Sequence, residues 1–255
     1  MLFAEGKRPT ADAIRKFATK QEDLIVSYDP RQVVPIRGSL LGDAAGRQSN
    51  SAGGREWAEL LHQGLAFDLE GLAPGEGVST PHFDHRFDID EGLSVGDLEA
   101  VHLVPGEHLA GAGSSLPVMR AMLGLACDFI RAFDTIEAVV WVPSASAIGR
   151  RYFESVVSAW LDGGPFPALG ITAFRPAEGG ALESVGLGYW IGRELRIVPP
   201  TSEDRVEATW LGIRLINLLV MRGGLQQEEA HIAPDGAPLL LRPSADGRYI
   251  VASRE

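Results

Sequence analysis

Two imidazoles and three carboxylates fall within the nine residues from His82 to Asp90, namely His82, Asp84, His85, Asp88 and Asp90. Imidazole with carboxylate is a donor set for zinc, manganese or iron. His82, Asp84, His85 and Asp88 are therefore the candidate metal ligands, and a metal-dependent hydrolase is the enzyme reading they open, with His102 or His108 in reserve as acid or base. A structural reading competes with it. His82 and His85 share a face only on a helix, whereas Pro81 and the alternating Phe83 and Phe87 predict an extended segment. His82, Asp84, Arg86, Asp88 and Asp90 would then face one way, and Phe83, His85, Phe87 and Ile89 the other. That is plain amphipathic strand patterning with an acidic outer face.

Other chemistry-bearing positions are weaker. His102 lies inside an apolar strand pattern, the usual setting of a packed histidine. The glycine-rich loop from Gly106 to Ser115 precedes a helix and could cradle an anion on free backbone N–H groups. It lacks the lysine and hydroxyl of a phosphate-binding loop, and its Gly111–Ser115 run lacks nucleophile-elbow spacing. The glycines from Gly186 to Gly192 miss dinucleotide-loop spacing by one, and no helix opens at their end. His-Glu-x-x-His and paired cysteines are absent. The one cysteine, Cys127, sits in an apolar helical pattern. Trp141, Trp160, Trp190 and Trp210 all fall in core-like elements and read as packing. Catalytic residues are not identifiable, no cofactor is implied beyond the alternative divalent metal, and the balance leans toward a protein that is not an enzyme.

Composition bounds the partners. The 255 residues are 45% hydrophobic and 22% charged, with a formal net charge of −11. Such a charge argues against nucleic acid or an anionic membrane, which attract basic faces. Between Asp68 and Glu99 lie nine carboxylates and one basic residue, Arg86. A solvated connecting segment explains this run, and a cation or basic-partner site is the sharper alternative. The lone cysteine, the lack of signal-peptide order and the lack of an eighteen-residue apolar run predict a soluble cytoplasmic protein.

Around these residues, periodicity and turn residues predict a definite order of elements. Thr10 starts a helix, and Leu24–Tyr28 is a strand. Val33–Ile36 would be an edge strand because of its proline, and 42–54 a loop. Arg55–Gly64, with Trp57, Leu60 and Leu61, has helical spacing, and 71–96 is irregular. Leu98–Val104 alternates into a strand. Ser114 or Ser115 opens a helix running to about Phe133. Ala138–Val142 is a buried central strand, followed by a helix over about 148–161 and a strand over 168–174. Ser184–Ile191 and Glu194–Val198 should pair across a Gly192-Arg193 turn. Thr201 and Asp204 have capping-box spacing before a long helix that is apolar almost all round near its end. If one chain cannot cover that helix, a homodimer follows. Leu239–Arg242 and Tyr249–Val251 close as a hairpin.

This order predicts an α+β fold, a mixed and largely antiparallel sheet with helices on one face. Strand, helix, strand recurs at 1–28 and 98–142 if Leu2–Ala4 is a strand, as in ferredoxin-like units. Residues 1–96 would form an N-terminal unit with an irregular acidic segment, and 97–255 the main domain. The stretch from about 98 to 255 resembles a family of uncharacterised bacterial domains. The matching residues are the helix before Ala138–Trp141, the Gly186–Leu195 hairpin, the helix ending at Met221–Gly224 and the Ala233–Gly236 turn. Trp141 is followed by Val142, Pro143 and Ser144 where that family would have a small polar turn, and the acidic stretch has no counterpart in it. The resemblance implies a soluble bacterial fold and carries over no catalytic residue. The reading is a binding or assembly module acting on itself or another protein.

Overall fold

The computed structural model describes residues 1–28, 56–109 and 111–254. The strand expected at 33–36 and the loop at 42–54 lie outside them. The chain is α+β with mostly antiparallel sheets, and it divides into two compact units that interleave in sequence: 1–80 with 91–138, and 81–90 with 139–255.

The first unit carries β1 (Leu2–Phe3), α1 (Ala11–Ala18), β2 (Leu24–Tyr28), β3 (Glu56–His62) and β4 (Leu65–Leu72). After β5 (His85–Phe87), which belongs to the second unit, it continues with β6 (Glu99–Ala100), β7 (His102–Pro105), α2 (Leu116–Ala132) and the start of β8 (Ile136–Trp141). β2, β3, β4 and β7 form an antiparallel sheet in that order. β1 pairs antiparallel with β6 and β8, setting Leu2 opposite both Ala100 and Ala138. Thr10 caps α1 by accepting the Ala13 N–H, and Pro117 opens α2 in the first turn, where its missing N–H costs nothing. The core joins Phe17 of α1 to Phe129 and Phe133, with ring centroids 4.8 and 5.8 Å away. Cys127 is buried on α2. Arg8 ties down the loop after β4 by donating to the carbonyls of Gly71 and Gly75, and its Nε lies 3.4 Å from Glu99.

The second unit holds β5, the end of β8, β9 (Ser146–Gly149), α3 (Arg150–Leu161), α4 (Ala168–Ile171), β10 (Ala173–Pro176), β11 (Leu182–Val185) and α5 (Gly188–Ile191). It ends with β12 (Glu194–Ile197), α6 (Arg205–Arg222), β13 (Glu229–Ile232), β14 (Pro238–Pro243) and β15 (Tyr249–Arg254). The six-stranded sheet has the order β10-β11-β12-β15-β14-β13, with only β12 and β15 parallel. α6 packs on one face of it. Gly212 lets the helix approach so closely that a Cβ there would stand 2.6 Å from the Phe174 ring. Leu211, Leu215, Ile216, Leu219 and Val220 of α6 are buried, each contributing roughly 2 kcal/mol of hydrophobic stabilisation.

Several expectations are corrected. Of the residues expected as a helix over 55–64, 56–62 are strand β3, with Ala58, Leu60 and His62 turned inward. The spacing of Trp57, Leu60 and Leu61 mimics a helical face, while a small and a polar residue at inward positions hide the period of two. A two-residue turn at Gln63 and Gly64, both with positive φ, sets the β3–β4 register. The strand read over 98–104 is two strands in different pairings, because the Val101 N–H and C=O both bond to Met1. Residues 168–171 form a single turn before β10. β11 and β12 do pair antiparallel, but through the helical turn α5 in place of a tight turn at Gly192-Arg193. Asp204 caps α6 alone, accepting the N–H groups of Val206 and Glu207.

Candidate binding surface

Within 81–90 only 85–87 are strand and the chain turns at Asp88, but the even-numbered residues are exposed and the odd-numbered ones half-buried. β5 within it runs parallel to β9. The four candidate ligands therefore do not converge. His82, Asp84 and Asp88 sit on the outer face and His85 on the inner one. His82 Nε2 lies 2.9 Å from Asp84 Oδ1, both side chains in solvent. Asp88, at φ 51°, stands near Tyr152, whose phenol is raised above its ordinary pKa by burial and then by that carboxylate. Among the described residues no three His, Cys, Asp or Glu side chains are grouped to hold a metal ion.

His102 and His108 belong to the first unit. His102 Nε2 is 3.3 Å from the Ser79 carbonyl, and the exposed His108 is 3.8 Å from Glu59. In the loop before α2, the N–H groups of Gly106, Leu109, Ala112 and Ser115 are already donated to backbone carbonyls.

Three tryptophans meet in the second unit. Trp141 stacks on Trp190 at 6.0 Å, and Trp190 meets Trp160 edge-on at 6.2 Å and Phe166 at 5.0 Å. Tyr189 closes the cluster against Trp141, and burial raises its phenol. The reading of these three tryptophans as packing agrees with this geometry.

Trp210 is different. It lies on the outer side of α6 and is 62% exposed, with Val206 and Met221 also exposed on that helix. At the same spot a cavity of about 230 Å³ opens between α6 and the turn after β13, where Trp210, Leu211, Ala233 and Pro234 supply apolar wall. Glu207 and Arg214 add opposite charges from the helix, and Asp235 and Arg254 pair across the far side. The Ala237 N–H, then Arg254, hold Asp235 below the usual carboxylate range. Thr201 also lines the cavity, and its hydroxyl is buried with no hydrogen-bond partner among the described residues. The cavity thus offers a guest an aromatic wall flanked by charges of both signs. The expectation that Trp210 is core is corrected: at about 3.6 residues per turn it lies on the side of α6 opposite the stripe of Ala208, Leu211, Leu215 and Leu219.

No protein-family model, curated protein or solved structure matches this chain. Among the described residues no helix is long and apolar enough to cross a membrane.

Proposed function

We propose that this chain is a binding module that receives a segment of another protein in the Trp210 cavity. The observation carrying this reading is the exposure of Trp210 beside a preformed cavity. Tryptophan at a solvent-facing pocket is the residue type that most often anchors a protein interface. The volume of about 230 Å³ suits one inserted apolar side chain, whereas drug-sized ligands and cofactors occupy roughly 300–1,000 Å³. Glu207 and Arg214 would fix the orientation of the entering backbone through its flanking charges.

A homodimer through α6 is the less favoured version. Val206, Trp210 and Met221 are the large apolar side chains that α6 leaves exposed, and three side chains fall short of the ~800 Å² per partner of a stable interface. A hydrolase on the 82–90 segment would need His85 to turn to the face of His82 and Asp84. The net charge of −11 favours protein over nucleic acid as the partner.

Random-peptide display panned on the native protein and on Trp210→Ala tests the reading. Enriched peptides should share one large apolar residue and should quench Trp210 fluorescence on titration. They should lose at least about tenfold in affinity for the variant. Enriched peptides that bind both proteins equally, or no enrichment at all, would overturn it.

A further inference from the structure

The face of the six-stranded sheet opposite α6 carries a second surface, independent of the Trp210 cavity. Side chains alternate across a sheet, so residues directly opposed in register share a face. Arg175 opposes Glu183, Glu183 opposes Arg196, Arg196 opposes Val251, and Val251 opposes Arg242. These five residues form one row across β10, β11, β12, β15 and β14. With strands about 4.8 Å apart, Arg175, Arg196 and Arg242 stand at intervals of about 10 Å along it.

The row is electrostatically incomplete. Glu183 is nearly buried and is shared by Arg175 at 3.2 Å and Arg196 at 3.3 Å. Arg242 is exposed and has no ion partner among the described residues. Arg196 and Arg248 hold their guanidinium groups 5.6 and 5.3 Å from the centre of the Tyr249 ring. Asp246, the carboxylate at the rim, already accepts the Ser244 hydroxyl and the Arg248 N–H. Glu194, opposite Tyr249 in the same register, is engaged by Ser184 and three backbone N–H groups, so four arginines face three engaged carboxylates on a chain whose net charge is −11. Beside the row an open groove of about 480 Å³ has Val198, Tyr249 and Val251 as its apolar floor and Arg196 as one wall.

We propose that this sheet face docks an acidic polypeptide segment with an apolar residue between its carboxylates. The arginine row matches the charge, and the Val198–Tyr249–Val251 floor takes the apolar side chain. The interval of about 10 Å equals three residues of polyproline II, which returns every third side chain to one face. A segment with a carboxylate at every third position fits the row.

Fluorescence anisotropy with a labelled peptide of repeating glutamate, glutamate and leucine tests this. The native protein should bind it saturably at low salt and lose at least about tenfold in affinity at high salt. The exposed pair Arg242→Glu/Arg248→Glu should bind at least about tenfold more weakly while melting like the native protein. These positions are chosen because removing Arg175 or Arg196 would strand the buried Glu183. Trp210→Ala should bind the peptide as the native protein does, which separates this surface from the cavity on α6. No saturable binding at low salt, or equal binding by the charge-reversed variant, overturns the proposal. So does single-stranded DNA bound as tightly as the peptide, which would make the face a general polyanion site.

Discussion

The Ser184 hydroxyl donates to the Glu194 carboxylate and accepts the N–H of Leu195 at 2.8 Å. The same carboxylate accepts the N–H groups of Gly186, Leu187 and Gly188 at 2.9–3.1 Å. Glu194 is thereby the bracket for α5, the turn that carries Tyr189 and Trp190 to Trp141. Removing it strands three backbone donors, and hydrogen bonds to a charged group are worth roughly 1.5–3 kcal/mol each, short of additive. Glu194→Ala should lose about 3 kcal/mol or more in urea unfolding, and Glu194→Gln, which keeps an acceptor, about half of that.

Gly186 has a φ of +91°, and a Cβ there would stand 2.8 Å from Ser144 Cβ and 2.9 Å from its backbone N. Both the left-handed backbone and the backbone contact oppose any side chain. Gly186→Ala should cost about 3 kcal/mol and alter the near-ultraviolet circular dichroism of the tryptophan cluster. A native-like melt would refute the contact.

Trp141 and Trp210 should respond oppositely to truncation. Trp141 is 6% exposed, and Trp141→Ala should cost about 3–5 kcal/mol. Trp210→Ala should stay within about 0.5 kcal/mol of native, as surface substitutions do. A large loss at Trp210 would mean that it packs against something.

His82 and Asp84 form a solvent-exposed pair, and such pairs contribute about 0–1 kcal/mol. His82→Ala should leave the melting temperature nearly unchanged, with and without added zinc. A zinc-dependent rise in the native melting temperature that His82→Ala abolishes would restore the metal reading, because an ion bound only to the folded state raises its stability.

The Met1 amino group donates to the Val101 carbonyl at 2.8 Å and is fully buried, which lowers its pKa from 8.0 to about 5. Between those values the unfolded chain takes up a proton that the folded chain refuses. Its contribution therefore makes stability fall as the pH drops from 8 to 5 and level off below, with a span of about 4 kcal/mol at 1.36 kcal/mol per pH unit. Titration of the amine by nuclear magnetic resonance checks it; an ordinary value near 8 would contradict the burial.

The parts of the fold that sequence conveys are those whose period survives locally. α2 shows its stripe from Met119 to Ile130, and the 81–90 segment shows its alternation although it holds only one short strand. β4 also alternates, with Phe67 and Leu69 buried and Asp68 and Glu70 half-buried on the other face, yet its carboxylates merge with the acidic run that follows. α5 was hidden because glycines at 186, 188 and 192 fit a tight turn as well as a helical one. The binding surfaces were least legible. The helical period gives the outward side of Trp210, but the cavity beside it depends on where β13 and its turn lie, and the arginine row exists only once five strands are in register. Arg175 and Arg242 are 67 positions apart, and no local pattern links them.

The order of the six-stranded sheet also dictates how a ribosome must deliver it. β15 lies inside the sheet, between β12 and β14, yet it is the last of the six strands to be made. Until residues 249–254 have left the exit tunnel, β12 has an unpaired edge and the β13–β14 hairpin has nothing to join it to β10–β12. The sheet therefore cannot close until the last of its six strands is made, and Leu195 and Leu241 stay short of their final neighbours until then.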